Sequence, residues 1–221
     1  MANNFYNAVR RNISADSTLP TEVYLTPNSL KSNAIELDVS NKSSAGVTVT
    51  VQLEDESQNA SGGNAQNVNA VATNTTGTLT TVSAHGLILN DRIVFTNGTD
   101  PSFTDASLPP SGDTTLSESR MYYVQSVGAG ASPTTLTIAE SRSANDPLTF
   151  DSNGASVVFT KIHIADIVKD APVPVGGTLK VISGQKLVLE SLTANVNDKI
   201  YAYSSSANAC DVIASVLQDV S

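Results

Sequence analysis

Residues 33–57, NAIELDVSNKSSAGVTVTVQLEDES, decide the fold class of this chain. Ile35, Leu37 and Val39 alternate with Glu36, Asp38 and Ser40; after the turn residues NKSSAG, Val47, Val49, Val51 and Leu53 alternate with Thr48, Thr50 and Gln52. A period of two places every apolar side chain on one face of an extended segment, so each run reads as a half-buried strand. The short turn between them predicts a hairpin. The same kind of pattern returns at 161–190, KIHIADIVKDAPVPVGGTLKVISGQKLVLE, and continues through Ile200, Tyr201 and Tyr203 to Val212, Ile213, Val216 and Leu217. Pro172-Val173-Pro174 belongs at a sheet edge, because proline offers no amide to an inner ladder. Ser183-Gly184 reads as a turn between two strands. Propensity permits helix at the last run, but the β-meander before it favours a closing strand.

Between these two stretches lies a different sequence. A first strand is expected at 22–26, ahead of both stretches; after the hairpin the pattern is lost over 54–70, where SQNASGGNAQN is small, polar and glycine-containing, the composition of a linker. Further strands are expected near 78–82, 92–96, 121–127, 135–139 and 157–160, and the Gly-, Pro-, Asp- and Ser-rich stretch 97–120 reads as an exposed loop. The expected architecture is all-β: a discontinuous β-sandwich platform from 1–58 and 160–221, interrupted by a small inserted β-barrel at 68–159, with 59–67 as linker.

At 221 residues the chain has room for two small domains. Aromatics make up 5% and tryptophan is absent, which suits short strands with polar outer faces. The net charge of −9, from 12 Lys and Arg against 21 Asp and Glu, argues against a nucleic-acid partner, since a phosphate backbone requires cations. The single cysteine, Cys210, excludes an intrachain disulfide framework and a cysteine-cluster metal site, and its neighbours suggest a buried thiol. Residues 1–14, MANNFYNAVRRNIS, lack the apolar core and cleavage pattern of a secretory signal, and no window approaches a transmembrane span. Synthesis in a cytoplasm and no membrane partner are the expectation.

No catalytic, cofactor-binding or metal-ligating set stands out. His85 and His163 have no neighbour at metal spacing; His85, before Gly86 at a turn, is expected to hydrogen-bond backbone. Glu54-Asp55-Glu56 matches no calcium loop and reads as a solvated strand end, as do Asp100, Asp105 and Asp113 on their loop. Gly62-Gly63 and Gly176-Gly177 lack the lysine and helix of a phosphate loop, and no Gly-x-Ser-x-Gly elbow occurs. Candidate partner contacts are Arg10 and Arg11, which suit an acidic surface, and Tyr201 and Tyr203, which share one face and suit either a core or a subunit contact. Phe103, beside Asp100 and Asp105, is the best local candidate for a host glycan, in the absence of tryptophan.

Two resemblances follow from motifs. His85-Gly86-Leu87, Asn90-Asp91-Arg92-Ile93-Val94-Phe95, Leu108-Pro109 and Met121-Tyr122-Tyr123-Val124 resemble a small β-barrel module that recurs as an insertion in phage tail and structural proteins. Asn90 stands where that module usually has glycine, a substitution that a left-handed turn tolerates. Pro172-Val173-Pro174, Gly176-Gly177-Thr178-Leu179, Gly184-Gln185-Lys186-Leu187-Val188-Leu189, Asn197-Asp198-Lys199-Ile200 and the run 211–217 resemble a tailed-bacteriophage virion component. That resemblance implies a non-enzymatic β-sandwich protein of the neck, collar or head-tail region, assembled symmetrically from copies of itself with other virion proteins and displaying its inserted barrel outward. Capsid decoration, a tail or baseplate position, and an adhesin module are the alternative expectations.

Overall fold

The computed structural model describes residues 4–56, 65–71, 77–99, 112–117, 119–142, 147–150, 152, 155–193 and 196–219. Its strands in chain order are β1 (Asn4–Arg10), β2 (Thr21–Leu25), β3 (Lys31–Asn41), β4 (Val47–Glu54), β5 (Ala65–Val71), β6 (Leu79–Thr81), β7 (Arg92–Thr99), β8 (Tyr122–Val127), β9 (Thr135–Ala139), β10 (Ala155–Ile162), β11 (Ile164–Val173), β12 (Thr178–Thr193), β13 (Val196–Asn197), β14 (Lys199–Ser204) and β15 (Cys210–Gln218). The protein is all-β. Its chain divides into two compact units, Met1–Ala60 with His163–Ser221, and Ser61–Ile162.

The first unit is a sandwich of two antiparallel sheets. One has five strands in the order β1-β15-β3-β12-β13; the other has four, β11-β4-β14-β2. Alternating side chains meet between them: Leu37 and Val39 from β3, Val49 and Val51 from β4, Ile200 and Ala202 from β14, and Val212, Ala214 and Val216 from β15 are all fully buried. Tyr24 is the one aromatic residue in this core cluster. Cys210 is a buried free thiol in the same cluster, and burial pushes its pKa up.

The expected hairpin of β3 and β4 does not form. β3 pairs with β12 and β15, whereas β4 pairs with β11 and β14, so the turn carries the chain from one sheet to the other. Asn41 holds this corner. Its Nδ2 donates to the carbonyls of Ala45 (2.8 Å), Val173 (3.0 Å) and Pro174 (3.2 Å), and its Oδ1 accepts from the Ser43 amide (2.9 Å). The two strands still share a period and a core, but they face each other across it.

Three other expectations need correction. Ser183-Gly184 is no turn: β12 runs unbroken for 16 residues, and the pairing with β3 shifts register between Ser183 and Leu187, with Gly184 at φ 71°. Such a bulge absorbs extra residues in a strand at a left-handed glycine. Asn4–Arg10, unassigned from sequence, is strand β1; Phe5, Tyr6, Ala8 and Val9 blur the alternation there. Ala65–Asn67, read as the end of a linker, already belongs to β5. Pro172 and Val173 do lie on an edge strand, β11, and the terminal run is a strand, β15.

In the second unit, six strands close on themselves in the order β10-β5-β6-β9-β8-β7, with β7 returning to β10. Phe95, Tyr122, Phe150 and Phe159 fill its interior, joined by Leu79, Ile93, Leu136 and Ile138. Phe95 makes edge-to-face contacts with Tyr122 and Phe159, at ring-centroid distances of 5.6 and 6.1 Å. Gly77 (φ 53°) is required here, since a Cβ at that position would come within 1.6 Å of the Leu148 carbonyl oxygen.

Candidate functional site

A polar constellation lies on the outer face of the sandwich's four-stranded sheet. β14 is an inner strand of that sheet. Its alternation sends Ile200 and Ala202 into the core and Lys199, Tyr201 and Tyr203 to the other face. Register sets Lys199 opposite Glu54, Tyr201 opposite Gln52 on one side and Glu22 on the other, and Tyr203 opposite Thr50. Lys199 Nζ lies 3.3 Å from Glu54 Oε2 and 2.5 Å from Glu56 Oε1. The Tyr201 side chain hydrogen-bonds Glu54. Gln52 Nε2 donates to Asp166 Oδ1 at 2.7 Å, extending the row onto β11.

Glu54 is only 3% exposed. Burial, against the pull of Lys199 and with the push of Glu56, raises its carboxyl to about 7. Burial works to lower Lys199, but Glu54 and Glu56 outweigh it and hold the ammonium above its ordinary value. Burial and Glu54 push the Tyr201 hydroxyl upward. Glu54 is therefore no solvated strand end: β14 delivers a cross-strand lysine to it. Asp198, just before β14, clamps backbone from two other segments. Its carboxylate accepts from the amides of Glu190 (2.9 Å) and Glu56 (3.1 Å), and burial raises its pKa despite those bonds.

A carboxyl titrating near neutrality beside a lysine has the chemistry of a proton-transfer group. At this site the same groups bond one another across the strands. The arrangement works as a polar seam that locks β4 to β14. Tyr201 is buried in that seam rather than in the apolar cluster, and Tyr203 is half-buried beside it.

Arg10 and Arg11 lie elsewhere, at the end of β1. Arg10 Nε donates to the Glu22 carbonyl at 2.7 Å, tying β1 to β2, while Arg11 is exposed. Between β1 and β2 runs a groove of about 410 Å3 lined by Tyr6, Ala8, Arg10, Val23, Tyr24 and Leu25. The Tyr6 and Tyr24 rings meet there at 6.2 Å. A second groove, of about 380 Å3, lies between β11 and β12 and is lined by Ile167, Lys180, Val181, Gln185 and Lys186 among others. Phe103, Asp100 and Asp105 lie outside the described residues. Phe5 and Val9, exposed on β1 beside the first groove, were not singled out by sequence, although the Phe-Tyr pair there was a signal.

In the barrel, polar groups serve the turns that the motif reading picked out. His85 Nδ1 accepts from the Leu87 amide (3.1 Å) and Nε2 faces the Thr135 carbonyl (3.2 Å), a pairing that suits a proton on Nε2. Asn90 adopts φ 70°, the left-handed turn expected of it. Asp91 accepts from the Ile88 amide (2.9 Å) and pairs with Lys161 (2.8 Å). Buried Arg92 donates to the Tyr123 hydroxyl, and its guanidinium carbon lies 4.3 Å from that ring's centroid.

Among the described residues no group of three or more His, Cys, Asp or Glu could hold a metal ion, and no helix is long and apolar enough to cross a membrane. No family model, curated protein or solved structure matches the chain.

Proposed function

We propose that this chain is a non-enzymatic structural component of a tailed-phage virion, built into the particle as symmetric copies of itself. The observation that carries this reading is how the polar side chains are used. His85, Asp91, Glu54, Lys199 and Asp198 all bond to backbone or to each other across strands. They fasten β-structure and present no converging reactive groups to a ligand. The resemblances at 85–87, 90–95, 108–109, 121–124, 172–174, 176–179, 184–189, 197–200 and 211–217 support the phage reading. The neck, collar or head-tail region is the proposed position, with capsid decoration and the tail or baseplate as the other positions to test. The sandwich is the mounting part and the inserted unit the displayed part.

The test is the composition of purified particles. Mass spectrometry of the virions should find this chain at a fixed multiple per particle, and cryo-EM should place repeated density of 23.0 kDa around a symmetry axis. A chain that stays wholly in the soluble lysate fraction, absent from particles, contradicts the proposal.

A further inference from the structure

We infer that two copies of this chain pair antiparallel along β1, about a two-fold axis at Asn7, and so join their five-stranded sheets. The inference deepens the structural reading by naming the surface through which copies meet.

A sheet edge with free backbone groups invites pairing, and proteins block unwanted pairing with lysine, proline, bulges or shortness. The other edges of this sandwich carry those blocks. β11 has Lys169, Pro172 and two register shifts. β12 has Lys180, Lys186 and two shifts, and β13 beside it has two residues. β2 has five residues, contains Glu22 and is shifted against β14. β1 has no lysine, proline or bulge, and its single charged residue, Arg10, is its last. It is seven residues long and keeps unbroken register with β15 from Asn4 to Arg10.

Its sequence, NFYNAVR, also suits its own copy. Antiparallel pairing centred on Asn7 sets Phe5 opposite Val9 of the second copy, Tyr6 opposite Ala8, and Asn4 opposite Arg10. The outer face then gains two aromatic–β-branched pairs, and the inner face sets a large side chain over a small one, twice. Phe5 is 77% and Val9 46% exposed in the single chain. On the neighbouring strand Ile213 opposes Val9 and Leu217 opposes Phe5, so the apolar stripe of each copy continues into the other.

Charge favours the same edge. Copies of a chain with net charge −9 repel each other, yet β1 has no acidic residue and ends in Arg10, followed by Arg11. The one carboxylate on β15, Asp211, pairs with Lys42 at 2.6 Å. Antiparallel pairing also keeps the two Arg10-Arg11 pairs at opposite ends of the joint. Such an isologous contact closes on itself.

Sedimentation equilibrium over a concentration series tests the inference. The wild-type chain should sediment at twice 23.0 kDa. The variant F5K/V9K, altered only at exposed side chains, should keep its circular dichroism spectrum and sediment as a monomer, with self-affinity weakened about 100-fold. Cysteine cross-linking tests the register. N7C should form a disulfide-linked dimer on mild oxidation. F5C alone should not, and F5C mixed with V9C should. A dimer indifferent to F5K/V9K, or one that N7C fails to cross-link, overturns the β1 joint while leaving a self-assembling structural protein. A wild-type chain that remains monomeric at all concentrations also overturns it. Absence of the chain from virions overturns the functional proposal and leaves the dimer measurement standing.

Discussion

The sandwich and the inserted unit solve the same problem with opposite materials. Between its two sheets the sandwich packs Val, Ala, Ile and Leu, with Tyr24 as its aromatic member. The barrel packs Phe95, Tyr122, Phe150 and Phe159 around its axis. Two facing sheets let branched aliphatic side chains interdigitate, whereas in this closed ring of strands four large rings share the interior with Leu, Ile and Val. The difference extends to the edges. The barrel's strand order returns on itself; the sandwich keeps its edges open and guards all but β1. Aromatic mass therefore serves closure in one unit, and in the other the exposed aromatic residues Phe5 and Tyr6 lie on the open edge.

The largest expected effect comes from the barrel's interior. Phe95→Ala removes a ring in contact with two others and should destabilise the inserted unit by about 3–5 kcal/mol. Differential scanning calorimetry should show the loss in one transition while the other holds its midpoint. An equal shift in both would break the comparison. In the sandwich, Asn41→Ala leaves the corner carbonyls of Ala45, Val173 and Pro174 without their shared donor. It should cost about 1–3 kcal/mol, read as a lower urea midpoint for the sandwich transition.

The smallest effect is one of slope. The Glu54 carboxyl rises from its ordinary 4.5 to about 7 on folding. Between those values the folded state holds more proton than the unfolded chain, so this group's contribution to stability falls as pH rises and levels off above about 7. Glu54→Gln removes that dependence. The gap between stability at pH 5 and at pH 8, measured by urea unfolding, should narrow relative to wild type. An unchanged gap would mean that the seam of Glu54, Glu56 and Lys199 leaves the proton balance of folding unaltered.

The strands were legible where alternation is clean. Val47 to Leu53 declares both its strand and its buried face, and 210–218 declares a strand once its context is known. Pairing was not legible. Period two fixes which side chains face inward, and it is the same whether β3 and β4 lie side by side or face each other across a core. The deciding group is Asn41, whose three carbonyl partners include two more than 130 residues away. β1 escaped notice because Phe5-Tyr6 and Ala8-Val9 put apolar side chains on both faces, a pattern that makes sense only for an edge strand with one face on a groove and the other open. The polar seam escaped for a related reason: Glu54 looks solvated until β14 brings Lys199 beside it. His85 was legible in part because one partner, the Leu87 amide, is two residues away; the other, the Thr135 carbonyl, lies 50 residues on in β9.

The central claim is that the two ends of the chain make one domain without the middle. Its ends already meet: the Asp55 amide donates to the His163 carbonyl at 3.0 Å, and Glu54 pairs with Ile164. Deleting 61–162 and joining the flanks with a short Gly-Ser bridge tests the claim most directly. Equilibrium urea unfolding of that chain, followed by circular dichroism, should give a single cooperative β-sheet transition. A chain with no β-sheet signal, or one that loses it without cooperativity, would contradict the account.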